Sequence, residues 1–590
     1  MRKLLPIILL PVIIVTSAGA QELRIQYPSD GDSVRYSKIY LAGWVSDTTA
    51  KVTVNGETRR VYGSGSFAGL LPLNPGWNNF TINAVTTDSM LTDTLHLYRQ
   101  PPPVVLPEQP VVFANDNLLP ATDITYYAPD MLIVQFRGSP GGKAYFSIDD
   151  LIDDPLPMEE LAPDAADGLA GVYRGTYMIR EKDACEHEPV EFTLVGKNGD
   201  DEDWETDRFI TVRITGQPVI AETRSGNNII FKAPWSEIMM ELPDSIRIPV
   251  ISEFGGWARL AISTDLTGLI SRRDIEILPA GAVCTQHTVN GFSSAMTGDW
   301  LTFSFHLAER VPFDLHQDTN NGITLDLYRT YMDDEWTTLA ADDNPGQPDS
   351  MLFESFTWEQ ITDNDLRFKF HFRTPQLWGF HGWYEGSTFK LAVRRPPVLD
   401  PAAPFKNLII ALDAGHGGQH RGAVGATGYM EKDANLAYAL DLAKMLEEAG
   451  AQVVLTRDTD TTMWLKARAD TARKYNAQIL VWMHNNGIGS TSDPESIMGT
   501  STYYTHLQGM PFALYVYPEL LRLGLKPFGR VHRSYYITRQ TDMIIFLVEG
   551  AFMTNPEDEM FLMDKNDLNL LAKAVFNGME RYLKILATKQ

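Results

Sequence analysis

The sequence predicts a multidomain protein in which all-β modules precede one C-terminal α/β domain. Its 590 residues exceed the ~100–200 residues of a typical domain, so several cores are expected. Between residues 21 and 396, short runs that alternate apolar and polar residues are separated by turn residues, which is typical of strands. After residue 404, apolar runs alternate with amphipathic helical stretches, which indicates a mostly parallel sheet covered by helices on both sides.

The first twenty residues have the three parts of a secretory signal peptide. Met1–Lys3 is basic, Leu4–Val15 is apolar, and Ala18–Ala20 offers small residues at the cleavage position. The apolar part is short for a bilayer span, so we expect removal, and an uncleaved anchor is the alternative. The mature protein is therefore expected to be periplasmic or secreted, with no stable membrane insertion once the signal has been removed.

Charge and cysteine content narrow the class of protein further. A net charge of −25 disfavours nucleic acid and anionic membranes as partners, because both need a basic surface. Only Cys185 and Cys284 are present, so disulfides are not the main stabilising element of a chain this long. Whether these two thiols pair is left open by the sequence.

The all-β region divides at changes in composition. The first module contains an Asn55–Gly56 hairpin signal and resembles the immunoglobulin-like sandwich modules of bacterial surface proteins. A proline-rich stretch follows it and indicates a stiff linker. Within the next region, residues 255–270 resemble bacterial SH3-type wall-binding modules, and plain structural spacers are the alternative. The predicted boundaries are 21–100 for the sandwich, 101–112 for the linker, 113–284 for one or more β-rich modules, and 285–396 for a β-rich accessory module.

The remaining residues, 397–590, form the predicted α/β domain. The helical periodicity lies at about 432–449, 464–475, 509–523 and 566–586. The apolar runs that predict strands lie at 407–412, 451–455, 478–483 and 543–548.

Polar residues that could carry chemistry follow three of these strands directly. His416 lies in the glycine-rich turn after the first strand, His484 ends the third, and Glu549 ends the last. Glu431 stands where the first helix begins, close in sequence to His416. Ligands of open α/β sheets bind beyond the carboxyl ends of the strands, so we expect these four side chains to converge.

Two imidazoles and one carboxylate are the ligand set of a catalytic zinc ion that keeps a position open for water. We therefore predict that His416, Glu431 and His484 hold one Zn²⁺, since Ca²⁺ and Mg²⁺ prefer oxygen ligands. Glu549 is then the candidate general base. Taken singly, each residue also fits a structural role, such as a hydrogen-bonded loop histidine or a glutamate at a helix N-terminus.

Five stretches occur in the order found in the zinc-dependent N-acetylmuramoyl-L-alanine amidases, the family called amidase type 3, which the C-terminal third of the chain resembles. They are "DAGHGG", "GAVGATGYMEKDANL", "LEEAGAQVVLTRDTD", "HNN" and "LVEGAFMTNPEDE". The resemblance implies that His416, Glu431 and His484 hold zinc, that Glu549 is the catalytic glutamate, and that the substrate is peptidoglycan. Ala414 departs from the family by standing where proline is common, which removes neither a ligand nor the base.

The function implied is hydrolysis of the amide bond between N-acetylmuramic acid and L-alanine of the peptidoglycan stem peptide, in cell-wall remodelling or daughter-cell separation. The alternatives are a zinc peptidase that cuts within the stem peptide and a non-catalytic wall-binding protein. Peptidoglycan is the expected partner, with envelope regulators as further candidates. Residues 285–396 also resemble the β-rich modules that localise such amidases in the envelope.

Overall fold

The computed structural model describes residues 21–589, apart from residues 103, 128–129, 214–217, 225, 227, 235, 320 and 333–350. The predicted signal peptide, residues 1–20, lies outside the described residues. In the described part of the chain, no helix combines the length and the apolar character needed to cross a membrane.

The first module consists of two packed sheets. One sheet has the order β1-β3-β6 and the other the order β2-β8-β7-β4-β5, with Phe67, Ile82 and Leu97 buried between them. Strand β3 is unusual, because it is buried along most of its length on both faces. The strands are β1 Leu23–Tyr27, β2 Ser33–Val34, β3 Lys38–Val45, β4 Lys51–Val54, β5 Glu57–Arg59, β6 Ser66–Pro72, β7 Gly76–Val85 and β8 Met90–Arg99.

The described strands of the second region form one 15-stranded sheet with two separate cores, one around Phe136 and the other around Leu260. Both thiols are free: Cys185 is buried in the first core, and Cys284 is partly buried. The strands are β9 Phe113–Leu119, β10 Ile124–Tyr127, β11 Asp130–Gly138, β12 Lys143–Ile148, β13 Ile152–Glu160, β14 Val172–Ile179, β15 Cys185–Val195, β16 Asp201–Arg213, β17 Val219–Thr223, β18 Asn228–Phe231, β19 Ile238–Leu242, β20 Arg247–Phe254, β21 Trp257–Ala261, β22 Thr267–Ser271 and β23 Ile275–Ile277. Two short 3-10 helices, Pro163–Ala165 and Arg272–Asp274, lie between them.

The described residues of the third module form two four-stranded sheets, with the orders β25-β26-β33-β32 and β27-β28-β31-β30, and a two-stranded pair of β24 with β29. Residues 301–306 and 366–372 alternate buried and more exposed side chains, and Phe303, Phe305 and Phe368 all point into one shared core. The strands are β24 His287–Thr288, β25 Gly291–Thr297, β26 Trp300–His306, β27 Phe313–Gln317, β28 Ile323–Tyr328, β29 Thr330–Tyr331, β30 Phe353–Thr362, β31 Asp365–Phe372, β32 Phe380–Glu385 and β33 Thr388–Arg394.

The C-terminal domain is built on a six-stranded sheet with the order β35-β34-β36-β39-β37-β38. Neighbouring strands are parallel except for β37 and β39, which are antiparallel, so the sheet is mixed. The predicted sequence of all-β modules followed by a domain of sheet and helices is confirmed. The strands are β34 Ile409–Ala414, β35 Gln452–Leu455, β36 Ile479–Asn486, β37 Thr500–Tyr504, β38 Pro527–His532 and β39 Ile544–Phe552.

Helices cover both faces of this sheet because its strands are apolar on both faces. One face packs against Leu442 of α1, Val516 of α3 and Val575 of α5. The opposite face packs against Ala472 of α2. The helices are α1 Glu431–Glu448, α2 Leu465–Lys474, α3 Met510–Leu521, α4 Pro556–Met563 and α5 Lys565–Ala587.

The core of the C-terminal domain also holds a side chain from the third module. Trp378 lies between β31 and β32, is 0% exposed, and belongs to the same apolar cluster as Phe405 and Tyr438. The third module and the C-terminal domain therefore share a core. They are expected to stabilise each other.

Substitution of Trp378 by alanine is expected to lower the free energy of unfolding of the C-terminal domain by about 3–5 kcal/mol, because a large cavity replaces a buried indole. Urea denaturation of the full chain, followed by far-UV circular dichroism, measures this loss. The matched control is Trp77→Ala, whose indole is 64% exposed and should change stability by less than about 0.5 kcal/mol. Equal effects of the two substitutions would contradict the shared core.

Candidate active site

The turn after β34 presents His416 at the edge of the sheet. His416 itself has a positive φ of 61°, a left-handed conformation that costs a non-glycine residue about 1–3 kcal/mol. Two arginines hold this turn through its carbonyl oxygens. Arg468 donates to the backbone oxygens of Ala414 and His416 at 2.8 and 2.5 Å, and Arg457 donates to that of Gly415 at 3.0 Å. Charged hydrogen bonds from Arg468 and Arg457 therefore offset the strain at His416.

Glu431 is the first residue of α1 and is 3% exposed. Its Oε2 lies 3.1 Å from Nε2 of His416, and its Oε1 lies 2.8 Å from Nδ1 of His484. The backbone N–H groups of Ala423 and Asn485 donate to the same carboxylate at 2.8 and 3.2 Å. Glu431 thus joins the elements that carry the two histidines.

His484 and Glu549 lie on adjacent parallel strands and are direct partners in the register of β36 and β39. The rings of His416 and His484 have centroids 4.7 Å apart at an angle of 74°. Oε2 of Glu549 is buried and has no hydrogen-bond partner among the described residues. The free carboxylate oxygen of Glu549 therefore lies on β39, directly beside His484 on β36.

The three predicted ligands form a cluster. One ligand atom from each of His416, Glu431 and His484 lies within 4.8 Å of the others. His416, His484 and Glu549 thus lie at or near the carboxyl ends of β34, β36 and β39, and Glu431 begins α1 beside them. The two imidazole nitrogens converge on one carboxylate, which is the donor chemistry of a zinc site, so the residues present fit zinc.

Glycine is required next to the cluster for a reason that the sequence did not reveal. A Cβ at Gly415 would lie 2.1 Å from Nε2 of His484, and one at Gly422 would lie 2.3 Å from Oε2 of Glu431. Any larger residue at either position would displace a predicted ligand. The turn therefore needs glycine both for its backbone and for the space that the ligand side chains occupy.

The two carboxylates of the site have opposite pKa shifts. Burial opposes ionisation of Glu431, but hydrogen bonds from His416 and His484 outweigh it and hold the pKa of Glu431 well below its usual range. Burial, followed by the charge of Glu431, raises the pKa of Glu549 well above its usual range. One carboxylate is thus held ionised for binding a cation, and the other holds a proton more readily.

Sequence reasoning missed the polar network beneath the cluster. Asp413 and Arg468 form a buried ion pair at 2.6 Å, with side-chain exposures of 0% and 3%. Asn435 donates to the backbone oxygen of Gly415 at 3.1 Å and accepts from Asn485 at 2.8 Å. Asp413, Asn435 and Asn485 lie within the motif stretches, but no local pattern in the sequence shows that they form one network with Arg468.

Comparisons with known proteins find relatives of the C-terminal domain. The N-acetylmuramoyl-L-alanine amidase family profile matches residues 410–581. The uncharacterized protein YqiI of Bacillus subtilis (strain 168) is 31% identical over 206 residues, which are 34% of this chain and 97% of that protein. The probable cell wall amidase LytH of Staphylococcus aureus is 30% identical over 182 residues, which are 30% of this chain and 60% of that protein. Among solved structures, the N-acetylmuramoyl-L-alanine amidase AmiC2 of Nostoc punctiforme is 34% identical, with 30% of this chain and 97% of that chain covered and a TM-score of 0.29.

Together, the fold and the site define an α/β domain with a candidate metal centre. The carboxylate of Glu549 lies beside this centre and is not one of its candidate ligands. Through this C-terminal domain, the chain belongs to the N-acetylmuramoyl-L-alanine amidase family. The resemblance found in the five sequence stretches is confirmed.

Proposed function

We propose that this protein is a zinc-dependent amidase that hydrolyses the bond between N-acetylmuramic acid and L-alanine in peptidoglycan. Family membership indicates peptidoglycan hydrolysis. The observation that carries the proposal is the cluster of His416, Glu431 and His484 within 4.8 Å, with Glu549 in register beside His484.

The zinc ion would be held by His416, Glu431 and His484. When bound, zinc supplies Lewis-acid polarisation of a carbonyl and lowers the pKa of a water molecule to ~7. The hydrogen bonds of Ala423 and Asn485 to Glu431 orient this carboxylate, and such outer partners tune metal affinity.

Glu549 would move the proton. As the oxygen of water forms a bond to the lactyl carbonyl carbon, Glu549 accepts a proton from that water. As the carbon–nitrogen bond breaks, Glu549 returns the proton to the nitrogen of alanine, so the products are a free muramoyl carboxyl and a free alanine amine. The position of Glu549 supports this role, because its buried Oε2 has no hydrogen-bond partner among the described residues and its strand runs beside that of His484.

Two features of the proposal concern the cell rather than the site. Export to the periplasm or the medium is supported by the signal-like pattern of residues 1–20 and by relatives named as cell wall amidases. A role in wall remodelling or daughter-cell separation, under the control of envelope regulators, follows from that location.

Digestion of purified peptidoglycan by the full chain tests the proposal. We expect equal amounts of new muramoyl carboxyls and new alanine amines, identified by mass spectrometry of the released fragments. New ends within the stem peptide would instead identify a peptidase, and retention of the protein on unchanged material would identify a wall-binding protein. Either result would overturn the proposal.

A further inference from the structure

Strand β3 of the first module needs two apolar partners. Ile39 and Leu41 point into the core of the module, as expected for one face of a sandwich sheet. Tyr40 and Ala42 point to the other side, yet they are only 8% and 4% exposed. The outward face of a two-layer sandwich is normally polar, so this second apolar face indicates a permanent partner.

That partner is the C-terminal domain. The docking face of the first module consists of Tyr27, Tyr40, Ala42 and Leu70, and it packs against the C-terminal domain. On the C-terminal domain, the docking face contacts Ala426 and Ile488. The rings of Tyr27 and Tyr40 stack within the docking face at a centroid distance of 4.2 Å.

The docking face contacts the two loops that lead away from the predicted metal ligands. The first ligand loop, residues 415–430, joins β34 to α1 and contains His416 and Ala426. The second ligand loop, residues 487–499, begins three positions after His484 and contains Ile488. The first module therefore contacts two loops whose backbone continues directly into the candidate metal site.

Hydrogen bonds fix the second ligand loop to the first module. The backbone N–H of Tyr40 donates to the backbone oxygen of Ser490 at 2.8 Å, and the hydroxyl of Tyr27 lies 2.7 Å from Oγ of Ser490. The hydroxyl of Tyr62 donates to Oε1 of Glu495 at 2.9 Å. These contacts position a loop backbone, because one of them is made to a main-chain carbonyl.

The opposite side of the first ligand loop is held by α4. The buried carboxylate of Glu559 accepts hydrogen bonds from the backbone N–H and the hydroxyl of Thr427 at 2.9 and 2.6 Å. Closer to the site, the N–H of Ala423 donates to Glu431. The first ligand loop is thus enclosed between the first module and α4, and it ends on a predicted metal ligand.

We propose that the first module is a clamp that positions the active site: by holding both ligand loops, it keeps Glu431 and the two histidines in a binding geometry. A metal or catalytic site needs its groups held to within about 0.5 Å, and loops without support rarely provide this. The clamp is distinct from a wall-binding role of this module. It rests on the proposed function for its catalytic readout and on the proposed zinc site for its binding readout.

The test uses the zinc-loaded full chain with Tyr40→Arg, which places a charge in the docking face. We expect zinc affinity, measured by competition with a fluorescent chelator, to fall roughly tenfold or more, as it does when outer supports of a metal site are lost. We expect kcat on peptidoglycan to fall by a similar factor with KM unchanged. The matched control is Tyr36→Arg, at a position on the same module that is 55% exposed, which should alter neither quantity.

A second variant tests the clamp without placing a charge in the docking face, so that unfolding does not explain its result. The double substitution Tyr27→Phe with Tyr62→Phe keeps both rings and removes only the hydroxyls that contact Ser490 and Glu495. It should shift zinc affinity and kcat in the same direction by a smaller factor, with near-UV circular dichroism unchanged. Values equal to those of Tyr36→Arg in both variants would overturn the clamp.

The remaining outcomes are also decisive. A rise in kcat on Tyr40→Arg would mean that the module shields the site, which contradicts a positioning role. If the native chain shows no amidase activity, the proposed function fails, but the comparison of zinc affinities still decides whether the clamp exists.

Discussion

Glu549→Gln is expected to lower turnover of purified peptidoglycan by about 10²–10⁴-fold, the contribution typical of a general acid–base group. Glutamine keeps the size of the side chain but cannot accept the proton of the attacking water. Zinc content, measured by inductively coupled plasma mass spectrometry, should stay at the native level, because Glu549 lies beside the ligand cluster without belonging to it.

The same variant has a second readout in the metal-free protein. Burial and the charge of Glu431 both oppose ionisation of Glu549, so a neutral amide should leave the free energy of unfolding unchanged or raise it. The control is Glu447→Gln, an exposed position on α1, which should keep both activity and zinc. Loss of zinc from Glu549→Gln would make Glu549 a ligand, and retained turnover would place the base elsewhere.

His484→Ala is expected to abolish activity and to weaken zinc binding by more than the 10–100-fold that loss of an outer partner typically causes. The variant removes one of two imidazoles from a three-residue site and leaves the Glu431 carboxylate with one histidine neighbour fewer. Chelator competition measures the affinity, and far-UV circular dichroism checks the fold.

The chain provides a matched histidine for this experiment. His420 lies in the same loop as His416, outside the cluster, with its ring 5.2 Å from that of Trp464. His420→Ala should keep zinc at the native level. An equal loss of zinc from the two variants would refute the assignment of His484 as a ligand.

Much of the C-terminal domain could be predicted locally. Periodicity located α1, α2, α3 and α5 to within a few residues. Helix α4 was missed because it spans only 8 residues, although Asn555 caps it through hydrogen bonds to two backbone N–H groups and Pro556 follows. Strand β38 was missed for a different reason: it lies at the edge of the sheet and contains Pro527 and Gly529, which are depleted in strands.

In the candidate site, too, some features could be predicted from the sequence and others could not. His416, Glu431, His484 and Glu549 were selected because each stands at the end or start of a predicted element, and elements of one sheet bring their ends together. The ion pair of Asp413 with Arg468 joins residues 55 positions apart, and no local pattern marks such a pair.

The sequence by itself determined that a β-rich region precedes a C-terminal domain of sheet and helices, and it singled out four candidate site residues, since periodicity and strand ends are encoded within a few neighbouring residues. Only the tertiary structure decided that Trp378 completes a core beyond its own module and that Tyr40 rests against the loop after His484. Both contacts depend on which surfaces meet after the modules fold. In the sequence, the side chains that make these contacts look like any other apolar residues, because only the packing of one module against another buries them.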